Sequence, residues 1–135
     1  SARFSAPRPS DAKNIRKVLR LLAAVPPRGR KARFVCVMAL AAGGRVVAEF
    51  RGQVRGRIAL APRGEDGFGY DPLFYYSPLR KTFAELPPDA KNGVSHRGRA
   101  VRKLRAFLER KREALSGARP DRARTVISAR SRRPR

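Results

Sequence analysis

Between Gly67 and Arg97 the chain gathers the residue types that recognise a flat, anionic ligand. Gly67 and Gly69 flank Phe68, Tyr70-Asp71-Pro72 follow directly, and Lys91 and Ser95-His96-Arg97 close the stretch. Glycine lets backbone approach a ligand closely and adopt positive φ. An aromatic face can stack on a base. Arg and Lys can grip its acceptor edge or a phosphate. A nucleotide is the first ligand this combination suggests. Each residue also has an everyday reading: Phe68 as core, Gly69 as a tight turn, Asp71 as the turn residue before Pro72, Lys91 as a solvated charge on a loop, His96 as a packing or capping side chain. Glu65, Asp66 and Glu85 are candidate Mg2+ ligands on chemical grounds, since Mg2+ takes carboxylates together with phosphate oxygens. Adjacent acids on a loop are more commonly solvated.

These residues need a scaffold, and 135 residues with 41% hydrophobic content suffice for one small domain. No apolar run approaches the roughly 18–20 residues of a membrane span, so no membrane partner is expected. The opening SARFSAPRPSD has no apolar segment of the signal-peptide kind. Cys36 is the single cysteine, which excludes an internal disulfide and suits a buried small hydrophobe in a reducing cytoplasm. The formal net charge of +23 suggests contact with polyanions. It is unevenly spread: Val101 to Arg135 holds thirteen basic residues against three acidic ones. Non-specific nucleic-acid contact through a basic tail is one explanation, and a codon bias toward Arg is another.

Taken in order, Ser10 is a good N-cap for a helix from Asp11 to about Val25, with Ala12, Ile15, Val18, Leu19 and Leu22 at helical spacing. This helix is expected to shield one side of a sheet. Pro26-Pro27 stops it. Ala32 to Ala41 is a nearly continuous apolar run and reads as a strand buried on both faces. After Gly43-Gly44, alternation over Arg45–Arg51 and again from Val54 to Leu60 predicts two further strands of an antiparallel meander. Leu73–Tyr76 is a short strand, Thr82–Leu86 a helical turn stopped by Pro87-Pro88, and Ser95 the N-cap of a last helix that Ser116-Gly117 breaks. The domain is expected over residues 1–116 and a disordered basic tail over 117–135.

The ordered string GFGYDP-x-F, T-x-AEL and K-x-x-x-SHRG-x-A resembles the C-terminal signature of the inosine triphosphate pyrophosphatase family, the XTP/dITP diphosphatases. G-x-V-x-G-x-I from Gly52 to Ile58 and D-x-x-N from Asp11 to Asn14 fit the same family. A capping role for Asp11 and a solvated Asn14 remain the simpler reading of that pair. The resemblance implies an α/β fold with a mixed, largely antiparallel central sheet flanked by helices. It also implies a chain without the family's N-terminal part, so that the first strand and its phosphate loop are missing. The implied reaction is Mg2+-dependent cleavage of ITP, dITP or XTP to the monophosphate and pyrophosphate, by a cytoplasmic homodimer. The implied substrate-binding residues are Phe68, Gly69, Tyr70, Asp71, Lys91, His96 and Arg97.

A physical account supports Arg97 as the selective contact. A 6-oxo purine presents O6 and N7 as acceptors, which a guanidinium fork matches, whereas adenine places an amino donor there. No Ser-x-Asn-x-x-Lys string and no Asp-Asp-Ser-Gly segment occurs in the sequence, so no residue is assigned as catalytic or as a metal ligand. Retained residues of this kind could hold a base while hydrolysing slowly. The alternative expectation is a basic nucleic-acid-binding protein or an inactive nucleotide-binding fragment.

Overall fold

The computed structural model describes residues 1–117. The expected tail lies outside them, apart from Gly117, which ends the last helix. Helix α1 (Asp11–Leu21) starts at Ser10, whose hydroxyl accepts from the Lys13 backbone N–H at 3.2 Å. After a tight helical turn at Pro27–Gly29 the chain enters β1 (Lys31–Ala42), turns at Gly43-Gly44 and returns as β2 (Arg45–Ile58). Strands β3 (Phe74–Tyr76) and β4 (Lys81–Thr82) extend the sheet in the order β1-β2-β3-β4, with every pairing antiparallel. Helices α2 (Pro88–Val94) and α3 (His96–Gly117) follow. Among the described residues no helix is long and apolar enough to cross a membrane.

Three sequence expectations are corrected here. The two strands predicted either side of Gly52 are one strand of 14 residues. Gly52 is no turn: a Cβ there would run into the His96 carbonyl of α3, so this glycine lets the helix lie directly on the sheet. The helix covering the sheet is α3, packed on β2 and β1, while α1 touches the sheet far less. Strand β1 is buried on neither face completely. Ala32, Phe34, Cys36, Met38 and Leu40 face α3 and are half-buried, while Val35 and Val37 on the other side are 40% and 55% exposed. An apolar run looks the same in a one-sided strand and a two-sided one when the outward residues are themselves valine and alanine.

The core sits where β1–β3 meet the turn after β4. Val54, Phe74, Phe83 and Leu86 are buried, with Phe34, Tyr76 and Val94 packed around them. Phe34 stacks on Phe74 at 4.2 Å between centroids. The turn at Phe83–Glu85 is secured by the Glu85 carboxylate, which accepts from the Thr82 backbone N–H at 2.6 Å. This core fixes both segments that bear the candidate site: Phe74 follows the Gly67 turn, and Phe34 touches His96 at the head of α3.

Candidate functional site

The Gly67–Asp71 turn is built around one carboxylate. Asp71 is buried, and its Oδ2 accepts from the Phe68 backbone N–H at 2.9 Å and from Lys91 Nζ. Gly67 has φ +83, and a Cβ there would collide with the Asp71 carboxylate. Only glycine allows the turn to close over the Asp71–Lys91 pair. Lys91, expected on a loop, stands on helix α2: Pro88 opens that helix at a position tolerant of proline, where Pro87-Pro88 had read only as a stop.

The head of α3 supplies the facing side. Ser95 Oγ accepts from the Gly98 backbone N–H at 3.1 Å and aims the first turn. His96 lies against Phe34, 4.9 Å between ring centroids. Its Nδ1 is buried and has no hydrogen-bond partner. Burial, and after it the Arg97 guanidinium, lower the imidazole's affinity for a proton, so His96 is held neutral below its ordinary range. The Phe68 ring is 54% exposed, with Arg97 Cζ 4.6 Å and Lys91 Nζ 4.8 Å from its centroid.

Phe68, Gly69, Tyr70, Asp71, His96 and Arg97 line one hollow of about 330 Å³. Lys91 does not line it but stands at the Phe68 ring, tied to Asp71. Sequence reasoning missed the hollow's remaining wall. Asp11 is not the helix cap: its Oδ2 accepts from the Gly69 backbone N–H at 2.7 Å. Asn14 is not solvated but 2% exposed, donating to the Ala2 carbonyl and accepting from the Ser5 N–H, both at 2.8 Å. Tyr70 donates its hydroxyl to the Ser1 carbonyl at 2.7 Å. Burial, and then the Asp11 charge, raise the phenol's pKa, which keeps it a donor. Asp11 and Asn14 are three apart on one helix and so share a face, the signal that could have found them.

The candidate metal ligands do not assemble. Glu85 is spent on Thr82 and stands 3.8 Å from Arg63, and the Thr82 N–H holds its carboxyl below the usual range. Among the described residues no three acidic, imidazole or thiol side chains stand where they could hold a metal ion. What the arrangement can do chemically is bind: it gathers an aromatic face, an imidazole and a guanidinium around one cavity.

Residues 1–107 match the family model described as Ham1 family. A relative in Geobacillus kaustophilus, named dITP/XTP pyrophosphatase, is 51% identical over 104 residues, 77% of this chain and 51% of that protein. One of the same name in Geobacter sulfurreducens is 48% identical over 108 residues, 80% of this chain and 54% of the relative. The Ham1 protein structure from Staphylococcus aureus superposes with a TM-score of 0.77 at 42% identity, covering 82% of this chain and 57% of that one. The HAM1 protein of Coxiella burnetii gives 0.75 at 41%, covering 81% and 56%. The chain thus spans about half the length of the curated relatives it matches.

Proposed function

The chain belongs to the Ham1 family, and from that premise we propose that it carries the base-recognising half of a non-canonical purine nucleoside triphosphate pyrophosphatase. The proposed reaction of the whole protein cleaves dITP, ITP or XTP to the monophosphate and pyrophosphate. One observation carries this reading: Phe68, His96 and Arg97 line a single hollow, with the Arg97 guanidinium at the Phe68 ring. The relatives' shared name supports it.

In this reading Phe68 stacks on the purine, and Gly69 and Tyr70 form the wall behind it. His96 receives a hydrogen bond or donates one at the base edge. Arg97 meets O6 and N7. Adenine, with an amino group at that edge, leaves the guanidinium facing a donor, and a buried polar group without a partner is what rejects a wrong substrate strongly. Asp71 holds Lys91 at the Phe68 ring, where its charge attracts the nucleotide's phosphates. A Mg2+ requirement, homodimeric assembly and cytoplasmic residence are proposed from the family resemblance alone. The described residues do not form a site for Mg2+. Contact of the basic tail with nucleic acid falls outside the described residues.

Calorimetric titration of the chain with ITP and with ATP tests the reading. The expected result is preferential ITP binding, lost in Phe68→Ala. Equal affinity for the two nucleotides in the unaltered chain would overturn it.

A further inference from the structure

Strands β1 and β2 present to solvent the face that α3 does not cover. The register sets Lys31 opposite Arg57 and Arg33 opposite Arg55, and all four side chains are exposed. Directly opposed residues have Cβ atoms about 5 Å apart, and next-but-one residues on a strand are about 6.8 Å apart. The four cations therefore form a compact rectangle. None has a carboxylate at ion-pair distance: the pairs among the described residues are Arg63–Glu85, Lys91–Asp71 and Arg105–Glu109. Like charges set directly opposite destabilise a sheet.

The cations of α3 provide a contrast. Arg99 donates to the Gln53 carbonyl at 3.0 Å and Lys103 to the Arg51 carbonyl at 2.7 Å, so both satisfy backbone along β2. The rectangle satisfies nothing within the described fold. At its end lies a hollow of about 420 Å³ lined by Arg57, Leu60, Arg63 and Tyr75, with Arg63 Cζ 5.4 Å from the Tyr75 ring centroid. Tyr75 pairs with Arg57 across the strands, which places it on the same side of the sheet as the cations.

We infer that this face is a binding surface for single-stranded nucleic acid. The phosphodiester lies along Lys31, Arg33, Arg55 and Arg57, and a base enters the hollow beside Tyr75. Charge complementarity selects a polyanion. A cationic track ending at an aromatic ring is the arrangement that holds unpaired strands without reading their sequence. The ring is recessed in a hollow rather than raised above the face, which suits an unstacked base and not a bilayer. This surface shares no residue with the Phe68 hollow, and the inference stands apart from the function proposed above.

The test is fluorescence anisotropy of the full chain with labelled oligothymidylate and oligouridylate across a salt series. Arg33→Ala with Arg55→Ala is expected to weaken binding and make the log K against log salt slope shallower by about 1.4, two single-strand phosphate contacts. Arg110→Ala with Arg112→Ala, which removes the same charge from the exposed end of α3, is expected to change it less. Tyr75→Ala is expected to weaken binding several-fold with the slope intact. ITP affinity should be unaffected by the Arg33/Arg55 pair. Equal losses from both arginine pairs, an unchanged slope, or binding to phosphatidylserine vesicles without binding to either oligonucleotide would overturn the inference.

Discussion

Lys91 and Arg97 differ from Lys31, Arg33, Arg55 and Arg57 in a way that composition hides: each of the first two has a place for its charge. Lys91 is clasped by Asp71 and faces the Phe68 ring, and Arg97 lies over the same ring. The four cations of the bare hairpin face repel one another across the strands with no carboxylate at ion-pair distance among the described residues. The first group is held by the fold and prepared for a small ligand. The second is an unanswered field that the fold tolerates. A cation's meaning thus depends on what its neighbours leave unsatisfied, and the difference can be measured.

The largest effect is expected at the clasp. Asp71→Ala strands a mostly buried ammonium and frees the Phe68 N–H, and removing one member of such a pair costs about 3 kcal/mol. Urea denaturation measures it, and adding Lys91→Met should recover part of the loss. Stability unchanged in the single variant would mean that Lys91 simply swings into water.

Arg97→Ala comes next. It should narrow the preference for ITP over ATP by roughly 1–3 kcal/mol, read as a ratio of dissociation constants. An unaltered ratio would remove Arg97 from recognition and leave its contact with Phe68 as packing.

Asp11→Ala deletes the acceptor of the Gly69 N–H, at a cost of about 1 kcal/mol. Hydrogen exchange at the Gly69 amide should quicken, and Asp11→Asn, which keeps a carbonyl oxygen, should restore most of the protection. His96 should give a pH dependence. Its folded pKa is lowered, chiefly by burial, so the unfolded chain takes up a proton first as pH falls. Its contribution to stability is full above the ordinary imidazole value of about 6.5 and diminishes as pH drops toward the lowered folded value. His96→Phe should flatten thermal stability over that window, and an equally steep curve in the variant would assign the slope elsewhere.

The smallest effect has the opposite sign. Arg33→Ala with Arg55→Ala relieves cross-strand repulsion and should raise stability by about 0.2–1 kcal/mol, more at low salt than at high. A loss of stability would show that these side chains brace the hairpin.

Much of this was legible in the chain. The start of helix α1 at its Ser10 cap, the Gly43-Gly44 turn, the Thr82–Leu86 turn and Ser95 ahead of α3 all follow local chemistry, because caps and positive-φ turns act over a few residues; the end of α1 does not, falling at Leu21 rather than near Val25 at the prolines. The ordered string from Gly67 to Arg97 held six of the residues that line the hollow, while its Lys91 stands outside at the Phe68 ring. The strand break predicted at Gly52 went wrong because a glycine that admits a helix and a glycine that turns a chain are the same letter. Asn14 was misread for a similar reason: a polar residue on a helix reads as solvated until the N-terminal segment is seen folded over it.

By itself, the sequence determined which residues could cap, turn, stack or carry charge, because those properties belong to each side chain and its nearest neighbours. Only the tertiary structure decided that Asp71 answers Lys91 while Arg33 faces Arg55 with no ion-pair partner among the described residues. Whether a charge is neutralised or left bare depends on groups far away along the chain, and only packing brings them within reach.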